Sequence, residues 1–258
     1  MPANTRVLLL AGSSEASAIA RRLPELGYDD VTVSFAGRTT NRVSTPGKVR
    51  VGGFGGPDGL ASYLTAQRVD ALIDATHPFA AHMPWNALQA AATTGVPRLR
   101  VQRAPWVVGD GDHWRLVDDL ADAAHAVEHM GSSRVFLTTG RQDLEPFARV
   151  RNAWFLVRAI EEPASMPLAH ARVVLARGPF AEAEEHALMR DNDIDLLVTK
   201  NSGGAAAAPK LSAARSLKVP VVMVTRPATP PGPVVTAVDE AFAWLAGLAA
   251  NAGHPSDG

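Results

Sequence analysis

The sequence contains no cysteine among its 258 residues. Disulfides, thiolate catalysis, iron–sulfur clusters and zinc–thiolate sites are therefore excluded, because each of them needs a cysteine sulfur. The histidines offer no substitute, since His77 and His82 are five residues apart and that spacing does not align two ligands on one helix face. We therefore expect a protein without a metal centre.

The chain also has almost no net charge. The formal charge is −1, so no general electrostatic attraction to nucleic acid or to a membrane surface is expected. With two tyrosines and five tryptophans, the chain also offers no aromatic surface on which bases could stack. No apolar run is long enough to span a bilayer, and the first one is too short for a signal peptide and leads directly into a helical pattern. We expect a cytoplasmic protein that binds a small molecule, with no nucleic acid and no membrane partner.

Short apolar strands alternate with helical patterns along the whole chain. The first strand begins at Val7, and the helix after it places Ala16, Ile19, Ala20 and Leu23 on one face. This alternation is typical of an α/β protein with parallel sheets. We predict two Rossmann-like parallel-sheet halves with a cleft between them: residues 1–131 as the first domain, 132–250 as the second, and 251–258 as a disordered tail.

Small and polar residues follow the predicted strands at five places. In open parallel sheets, ligands bind at the carboxyl ends of the strands. A buried core would not place small polar residues there repeatedly, so the pattern predicts a ligand site. The five stretches are Gly12–Ser14, Gly37–Thr39, Asp74–Phe79, Thr138–Gln142 and Lys200–Gly204.

Two of these stretches indicate a phosphorylated dinucleotide. Gly12 to Glu15 would present backbone N–H groups of a helix N-terminus to a phosphate, although the full G-x-G-x-x-G fingerprint is absent and an ordinary first turn remains open. Arg38 follows the second strand with no acid before it. In a dinucleotide fold, an arginine there suits the 2′-phosphate of NADP, whereas a solvated surface arginine is the alternative.

The other two informative stretches contain groups that could transfer a proton or bind an anion. His77 is a general acid, a hydrogen-bond donor to a cofactor, or a residue that fixes its own turn. Lys200 to Gly204 combines a cation, an amide, a hydroxyl and two glycines before a helix. That composition favours a site for carboxylate or phosphate over a simple helix-start loop.

Two common enzyme classes do not fit. Short-chain dehydrogenases use Tyr-x-x-x-Lys, but Tyr28 is followed at that spacing by Thr32 and Tyr63 by Gln67. The Gly-x-Ser-x-Gly nucleophile elbow of the α/β-hydrolases is also absent.

Taken together, the motifs resemble the precorrin-6A reductase family, which includes the cobalt-precorrin-6A reductases of cobalamin biosynthesis. The sequence departs from the family pattern at Ala11 and Ser13, where a glycine and a threonine are usual, and at Ala205–Ala208, where an aromatic residue is usual. The motifs that support the resemblance are Ala11–Ala16, Ala36–Thr39, Gly52–Gly56, Asp74–Ala81, Thr139–Gln142, Arg177–Phe180 and Lys200–Gly204.

The resemblance implies an NADPH-dependent oxidoreductase that reduces one double bond of the precorrin-6A macrocycle to give precorrin-6B, as a monomer or weak homo-oligomer. The first domain would bind NADP, and the second would contribute the tetrapyrrole site. The cofactor would be bound by Gly12, Ser13, Ser14, Glu15, Gly37, Arg38, Thr39, Asp74, Thr76, His77, Pro78 and Phe79. The substrate would be bound by Arg141, Gln142, Lys200, Asn201, Ser202, Gly203 and Gly204.

Several alternatives remain at this point. The proton that accompanies the hydride could come from His77, from Lys200 or from water. If the two sheets face each other across a cleft, we expect Lys200 to pair with a peripheral carboxylate of the macrocycle and the N–H groups of Ser202–Gly204 to bind another. Another NADP-dependent reductase acting on a smaller substrate would satisfy the same motifs. A non-catalytic NADP-binding sensor module would also satisfy them.

Overall fold

Strands and helices alternate along the residues that the computed structural model describes, 5–37 and 46–252. No helix in these ranges is both long enough and apolar enough to cross a membrane. In chain order the elements are β1 (Val7–Ala11), α1 (Ser14–Glu25), β2 (Val31–Phe35), β3 (Lys48–Val51), α2 (Gly56–Ala66), β4 (Ala71–Ala75), α3 (Met83–Thr94), β5 (Arg98–Val101), β6 (Trp114–Val117), α4 (Leu120–Met130), β7 (Arg134–Leu137), β8 (Trp154–Ala159), β9 (Ala171–Leu175), α5 (Glu182–Asp191), β10 (Leu196–Lys200), α6 (Pro209–Ser216), β11 (Val221–Val224), β12 (Val234–Val235) and α7 (Val238–Ala252).

Two compact units divide the described chain. Unit 1 comprises the residues up to Arg103 and those from Pro227 onward, and unit 2 comprises Ala104–Arg226. Each unit contains a parallel sheet, with six strands among the described residues. The predicted α/β class with two parallel-sheet halves is confirmed.

The sheet of unit 1 has the strand order β12-β5-β4-β1-β2-β3. Strand β1 is central, and every one of its five residues is buried. Its side chains alternate between the two faces: Leu9 packs with α1 and α7, whereas Leu8 and Leu10 pack with α2 and α3. Burying each such leucine contributes roughly 1.5–3 kcal/mol. The chain order reverses between β1 and β4, which is the switch point where open α/β sheets bind ligands.

Helix α1 forms as its sequence pattern predicts. The four residues assigned to its apolar face, Ala16, Ile19, Ala20 and Leu23, are its buried residues. Pro24 lies in the last turn, and the helix ends one residue later. Local periodicity therefore sufficed for this element.

Unit 2 repeats the architecture with the strand order β6-β11-β10-β7-β8-β9. Its core includes Phe136 and Leu197 from the sheet, which pack with Met189 of α5 and Leu211 of α6. Strands β7 and β10 are neighbours, with Leu137 opposite Val198. The carboxyl ends of β7 and β10 therefore lie next to each other.

The units depart from the expected boundaries of 1–131 and 132–250. Strand β6 hydrogen-bonds to β11, so it belongs to unit 2 although it precedes residue 131. Strand β12 pairs with β5, and Ala241 and Leu245 of α7 are buried in the core of unit 1. An alternating pattern predicts that a strand exists but does not determine which sheet it joins. Of the expected tail, residues 251 and 252 belong to α7 and 253–258 lie outside the described residues.

Candidate functional site

The turn after β1 is closely packed against the turn after β4. A Cβ atom at Gly12 would lie 2.9 Å from the backbone nitrogen of His77, so only glycine fits there without a shift. Ser13 is the N-cap of α1, where its Oγ accepts from the Ala16 N–H at 3.2 Å and donates to the Ala75 carbonyl at 2.8 Å. The first turn of α1 is thereby fixed at the switch point of the sheet.

The next two residues of this turn are bound to Arg103. The Arg103 Nη1 donates to Glu15 Oε2 at 2.7 Å and to Ser14 Oγ at 3.3 Å. Burial opposes ionisation of Glu15, but its own backbone N–H and the Arg103 guanidinium outweigh burial and lower the pKa of this carboxyl. Glu15 is therefore a carboxylate whose charge is already neutralised within unit 1.

Asp74 is fully buried and supports the second turn from below. Its Oδ1 accepts from the N–H of Thr76 at 3.1 Å and from its hydroxyl at 2.7 Å, while Oδ2 pairs with Arg100 at 2.5 Å. With 0% of its side chain exposed, the Asp74 carboxylate has no open face toward a ligand. Its hydrogen bonds fix the backbone and the side chain of Thr76 at the start of the turn.

His77 and Phe79 complete that turn. The Phe79 N–H donates to His77 Nδ1 at 3.2 Å, and the Ala80 N–H donates to the His77 carbonyl at 2.8 Å. The half-buried imidazole is therefore oriented by the backbone two residues on, with Nδ1 as acceptor. Pro78 between them is buried.

The third predicted cofactor stretch is described only in part. Gly37 has a φ of +81°, a conformation that favours glycine, but Arg38 and Thr39 lie outside the described residues. The adjacent glycine loop is fixed by Arg50, whose guanidinium donates to the carbonyls of Gly52 at 2.6 Å and Gly53 at 2.7 Å. Arg50 also stacks 3.7 Å above the Phe54 ring.

In unit 2, Lys200 is the last residue of β10 and points toward the turn after β7. Its Nζ lies 2.5 Å from Oδ2 of Asp143, and the two side chains are 16% and 25% exposed. Sequence reasoning missed Asp143, although it directly follows the Thr139–Gln142 motif at the carboxyl end of the neighbouring strand. That position was the available signal, because β7 and β10 pair.

Arg141 and Gln142 line a cavity of about 350 Å³ in unit 2, together with Leu144, Glu145, Ala164, Ser165 and Pro167. The Arg141 guanidinium is engaged there, since it pairs with Glu161 at 2.7 Å and donates to the Glu162 carbonyl at 3.0 Å. The structure thus places these two predicted residues at one cavity.

The last four residues of the Lys200 motif lie along another segment of the same unit. The Asn201 side chain is hydrogen-bonded through both its oxygen and its nitrogen to the backbone of Trp106. Sequence reasoning did not connect these residues, because 95 positions separate them. In the described ranges, no three His, Asp or Glu side chains come close enough to hold a metal ion.

The family model for the precorrin-6x reductases CbiJ/CobK matches residues 6–246. The chain belongs to this family. Precorrin-6A reductase of Rhodococcus erythropolis is 47% identical over 245 residues, which cover 95% of this chain and 98% of that protein. The enzyme of the same name from Rhodobacter capsulatus is 44% identical over 243 residues, with 94% and 96% covered.

A solved structure of a CobK precorrin-6A reductase has the same fold. It superposes with a TM-score of 0.89 at 44% identity, covering 95% of this chain and 97% of that one. The resemblance inferred from the sequence motifs is confirmed. The family match extends over residues of both units.

Proposed function

We propose that this chain reduces one double bond of precorrin-6A to give precorrin-6B in cobalamin biosynthesis, with NADPH as the hydride donor. The observation that carries the proposal is the match of fold and sequence, over nearly the whole chain, to proteins named precorrin-6A reductase. A reductase of this family implies a nicotinamide cofactor. The choice of NADPH rests on Arg38, read from the sequence.

The described part of unit 1 fits such a cofactor. Gly12 has no side chain, which lets the turns after β1 and β4 pack closely at the switch point of the sheet. The N-terminus of α1 lies there, and the N–H groups and the dipole of a helix N-terminus favour a pyrophosphate. We assign Gly12 to Glu15, Gly37 to Thr39 and the turn from Thr76 to Phe79 to cofactor binding. NADPH, when bound, supplies a hydride from its nicotinamide ring.

Reduction of a double bond also needs a proton. The hydride adds to one atom of the bond and a proton adds to the other, so the product gains two hydrogens and two electrons. We assign the proton to Nζ of Lys200, which water then reprotonates. The Asp143 carboxylate lies 2.5 Å from this ammonium group and orients it at the carboxyl end of β10.

His77 is less suited to this role. Its Nδ1 accepts from Phe79, so the ring already has a task in the cofactor turn. The acetate and propionate groups of the macrocycle need other partners, and we assign one of them to the cavity beside Arg141 and Gln142.

The decisive experiment follows NADPH absorbance after precorrin-6A is added to the purified protein. We expect consumption of one NADPH per macrocycle, and about a 100-fold lower kcat in Lys200→Met, which cannot donate a proton. Lys218→Met is the matched control, because Lys218 is an exposed lysine of the same unit, two residues after the end of α6.

Three results would contradict parts of the proposal. NADPH binding without turnover would favour the sensor module, and turnover only with another substrate would change the substrate class. A variant Lys200→Met with a raised KM and an unchanged kcat would make Lys200 a substrate clamp rather than the proton donor. Parallel assays with cobalt-free and cobalt-loaded substrate identify the natural macrocycle.

A further inference from the structure

Asn201 directly follows Lys200, and both the oxygen and the nitrogen of its side-chain amide hydrogen-bond to the backbone of Trp106. Its Oδ1 accepts from the Trp106 N–H at 2.8 Å, and its Nδ2 donates to the Trp106 carbonyl at 3.0 Å. Only a side chain with a donor and an acceptor on the same carbon can make this pair. Aspartate would oppose a carboxylate oxygen to the carbonyl, and alanine would leave both backbone groups without this partner.

The rest of the motif follows the same segment. The Trp106 ring donates from Nε1 to the Gly204 carbonyl at 3.0 Å. Gly203 has a φ of +68°, and a Cβ atom there would lie 2.1 Å from the Ala104 carbonyl oxygen. Gly203 is therefore required by the close approach of two backbones, and Gly204 has a φ of +82°, which favours glycine.

Arg226 holds the motif from another strand end. Its Nε donates to the Asn201 carbonyl at 2.8 Å and its Nη2 to the Ser202 carbonyl at 3.1 Å. The Asn201 N–H meanwhile donates to the Val224 carbonyl at 2.9 Å, which extends the pairing of β10 with β11. The backbone immediately after Lys200 is thus fixed through its N–H, its carbonyl and its side chain.

We propose that Asn201 is a positioning residue: it holds the end of β10 so that the Lys200 ammonium stays beside Asp143 and in reach of the reacting bond. This inference rests on the proposed function, and it changes the role of Asn201 from substrate contact to support. Its side-chain amide is engaged with Trp106, so its effect on the reaction passes through Lys200. Arg226 supports the same backbone.

The first test compares Asn201→Ala with Asn192→Ala. Asn192 is a matched control, because it also donates a side-chain hydrogen bond to a backbone carbonyl of unit 2, that of Leu188, at 2.8 Å. We expect Asn201→Ala to lower kcat about 10- to 100-fold, since small displacements of a reacting group have effects of that size, with both KM values within about threefold. Asn192→Ala should lower the melting temperature without changing kcat.

A double-mutant cycle separates positioning from general destabilisation. If Asn201 acts through Lys200, Asn201→Ala added to Lys200→Met produces no further loss of kcat. Multiplicative losses, or a kcat of Asn201→Ala equal to that of Asn192→Ala, would overturn the inference. Asn201→Asp should be impaired at least as much as Asn201→Ala, because its carboxylate faces the Trp106 carbonyl.

Two further measurements cover the remaining cases. Should Asn201→Ala not fold, Arg226→Lys replaces it and is expected to give a smaller fall in kcat, since one of its two contacts can persist. Amide hydrogen exchange at residues 200–204 should accelerate in Asn201→Ala and not in Asn192→Ala. This measurement needs no substrate, so it does not depend on the proposed function. If the wild-type protein did not turn over precorrin-6A but exchange still accelerated in Asn201→Ala alone, the proposed function would fail while the structural role of Asn201 held. If exchange at residues 200–204 were the same in Asn201→Ala as in wild type, the inference itself would be overturned.

Discussion

Replacing Asp74 by alanine tests the buried ion pair beside the turn from Thr76 to Phe79, which we propose as part of the cofactor site. Asp74 and Arg100 have side chains that are 0% and 1% exposed, and their Nη1–Oδ2 distance is 2.5 Å. Arg98 is also buried, and burial lowers the pKa of its guanidinium; the nearby Asp74 carboxylate acts in the opposite direction, and Arg100 lowers the pKa further. One carboxylate therefore balances two buried guanidinium groups.

The expected loss of stability is large because only uncharged acceptors would remain for Arg100: Oε1 of Gln102, and Oγ1 of Thr76 at a long 3.5 Å from Nη1. In the described structure, Nη2 of Arg100 and Nη1 of Arg98 already lack a hydrogen-bond partner. After Asp74→Ala, Arg100 would keep the contact of its Nε with Gln102 at 2.6 Å, and both donors of Thr76 would lose their acceptor. Breaking a buried ion pair from one side costs about 3–5 kcal/mol.

Urea denaturation followed by circular dichroism measures this cost. The control is Asp239→Ala, which removes the carboxylate of an ion pair with Arg22 in the same unit, with side chains 80% and 46% exposed. Exposed pairs contribute no more than about 1 kcal/mol. We expect Asp74→Ala also to weaken NADP+ binding, because the turn from Thr76 to Phe79 loses its support. A difference of under about 1 kcal/mol between the two variants would refute the reasoning.

Three further predictions concern the cofactor side. Gly12→Ala should weaken NADP+ binding in calorimetric titration and destabilise unit 1 by about 1–3 kcal/mol, because its Cβ would press on the His77 backbone. Since the pKa of Glu15 is lowered in the folded chain, its pair with Arg103 stabilises above the ordinary value of 4.5 and is lost as the pH falls through the lowered pKa. Glu15→Gln should therefore be less stable than wild type at neutral pH, with a difference that shrinks in acid; a constant difference would contradict this. Arg38→Ala should weaken NADPH binding by about 1.5–3 kcal/mol and leave NADH binding nearly unchanged, and equal losses would separate Arg38 from the 2′-phosphate.

Elements with a clear local pattern could be predicted from the sequence. The first strand, predicted to begin at Val7, begins there, and the helix predicted after it from its apolar face is α1. No sequence pattern predicted β12, which has two residues and follows a proline-rich connector. Strand β6 was missed as well, because it is a partly exposed edge strand in which Leu116 is 62% exposed. Such strands form because a neighbouring backbone offers hydrogen bonds, and their own side chains contain little of that information.

The candidate site shows the same limit. Polar residues at strand ends indicated where groups gather, and the structure does gather Ser13 with the turn from Asp74 to Phe79 in unit 1. The position of Asp143 after the Thr139–Gln142 motif was a signal, but the ion pair itself was not predictable. Lys200 and Asp143 are 57 positions apart, and they meet because β10 and β7 are neighbours in the sheet. Asp74 was predicted as a cofactor residue from its motif; it is buried and hydrogen-bonds with Thr76 and Arg100, which the motif did not indicate.

Before the glycines that follow strands are assigned to a ligand, the space that a Cβ atom would fill at each of them has to be considered. At Gly12 and Gly203, the space that a Cβ atom would fill is occupied by the backbone of another segment of the same unit. At Gly52 and Gly53, that space contains no protein atom within 4 Å, and Arg50 instead holds the two carbonyls. Backbone packing alone thus requires glycine at Gly12 and Gly203, and a ligand there would use a surface that the packing has already shaped. Alanine at Gly53 should consequently leave stability nearly unchanged, whereas alanine at Gly203 should not, and unfolding measurements on these two variants separate the two reasons for glycine.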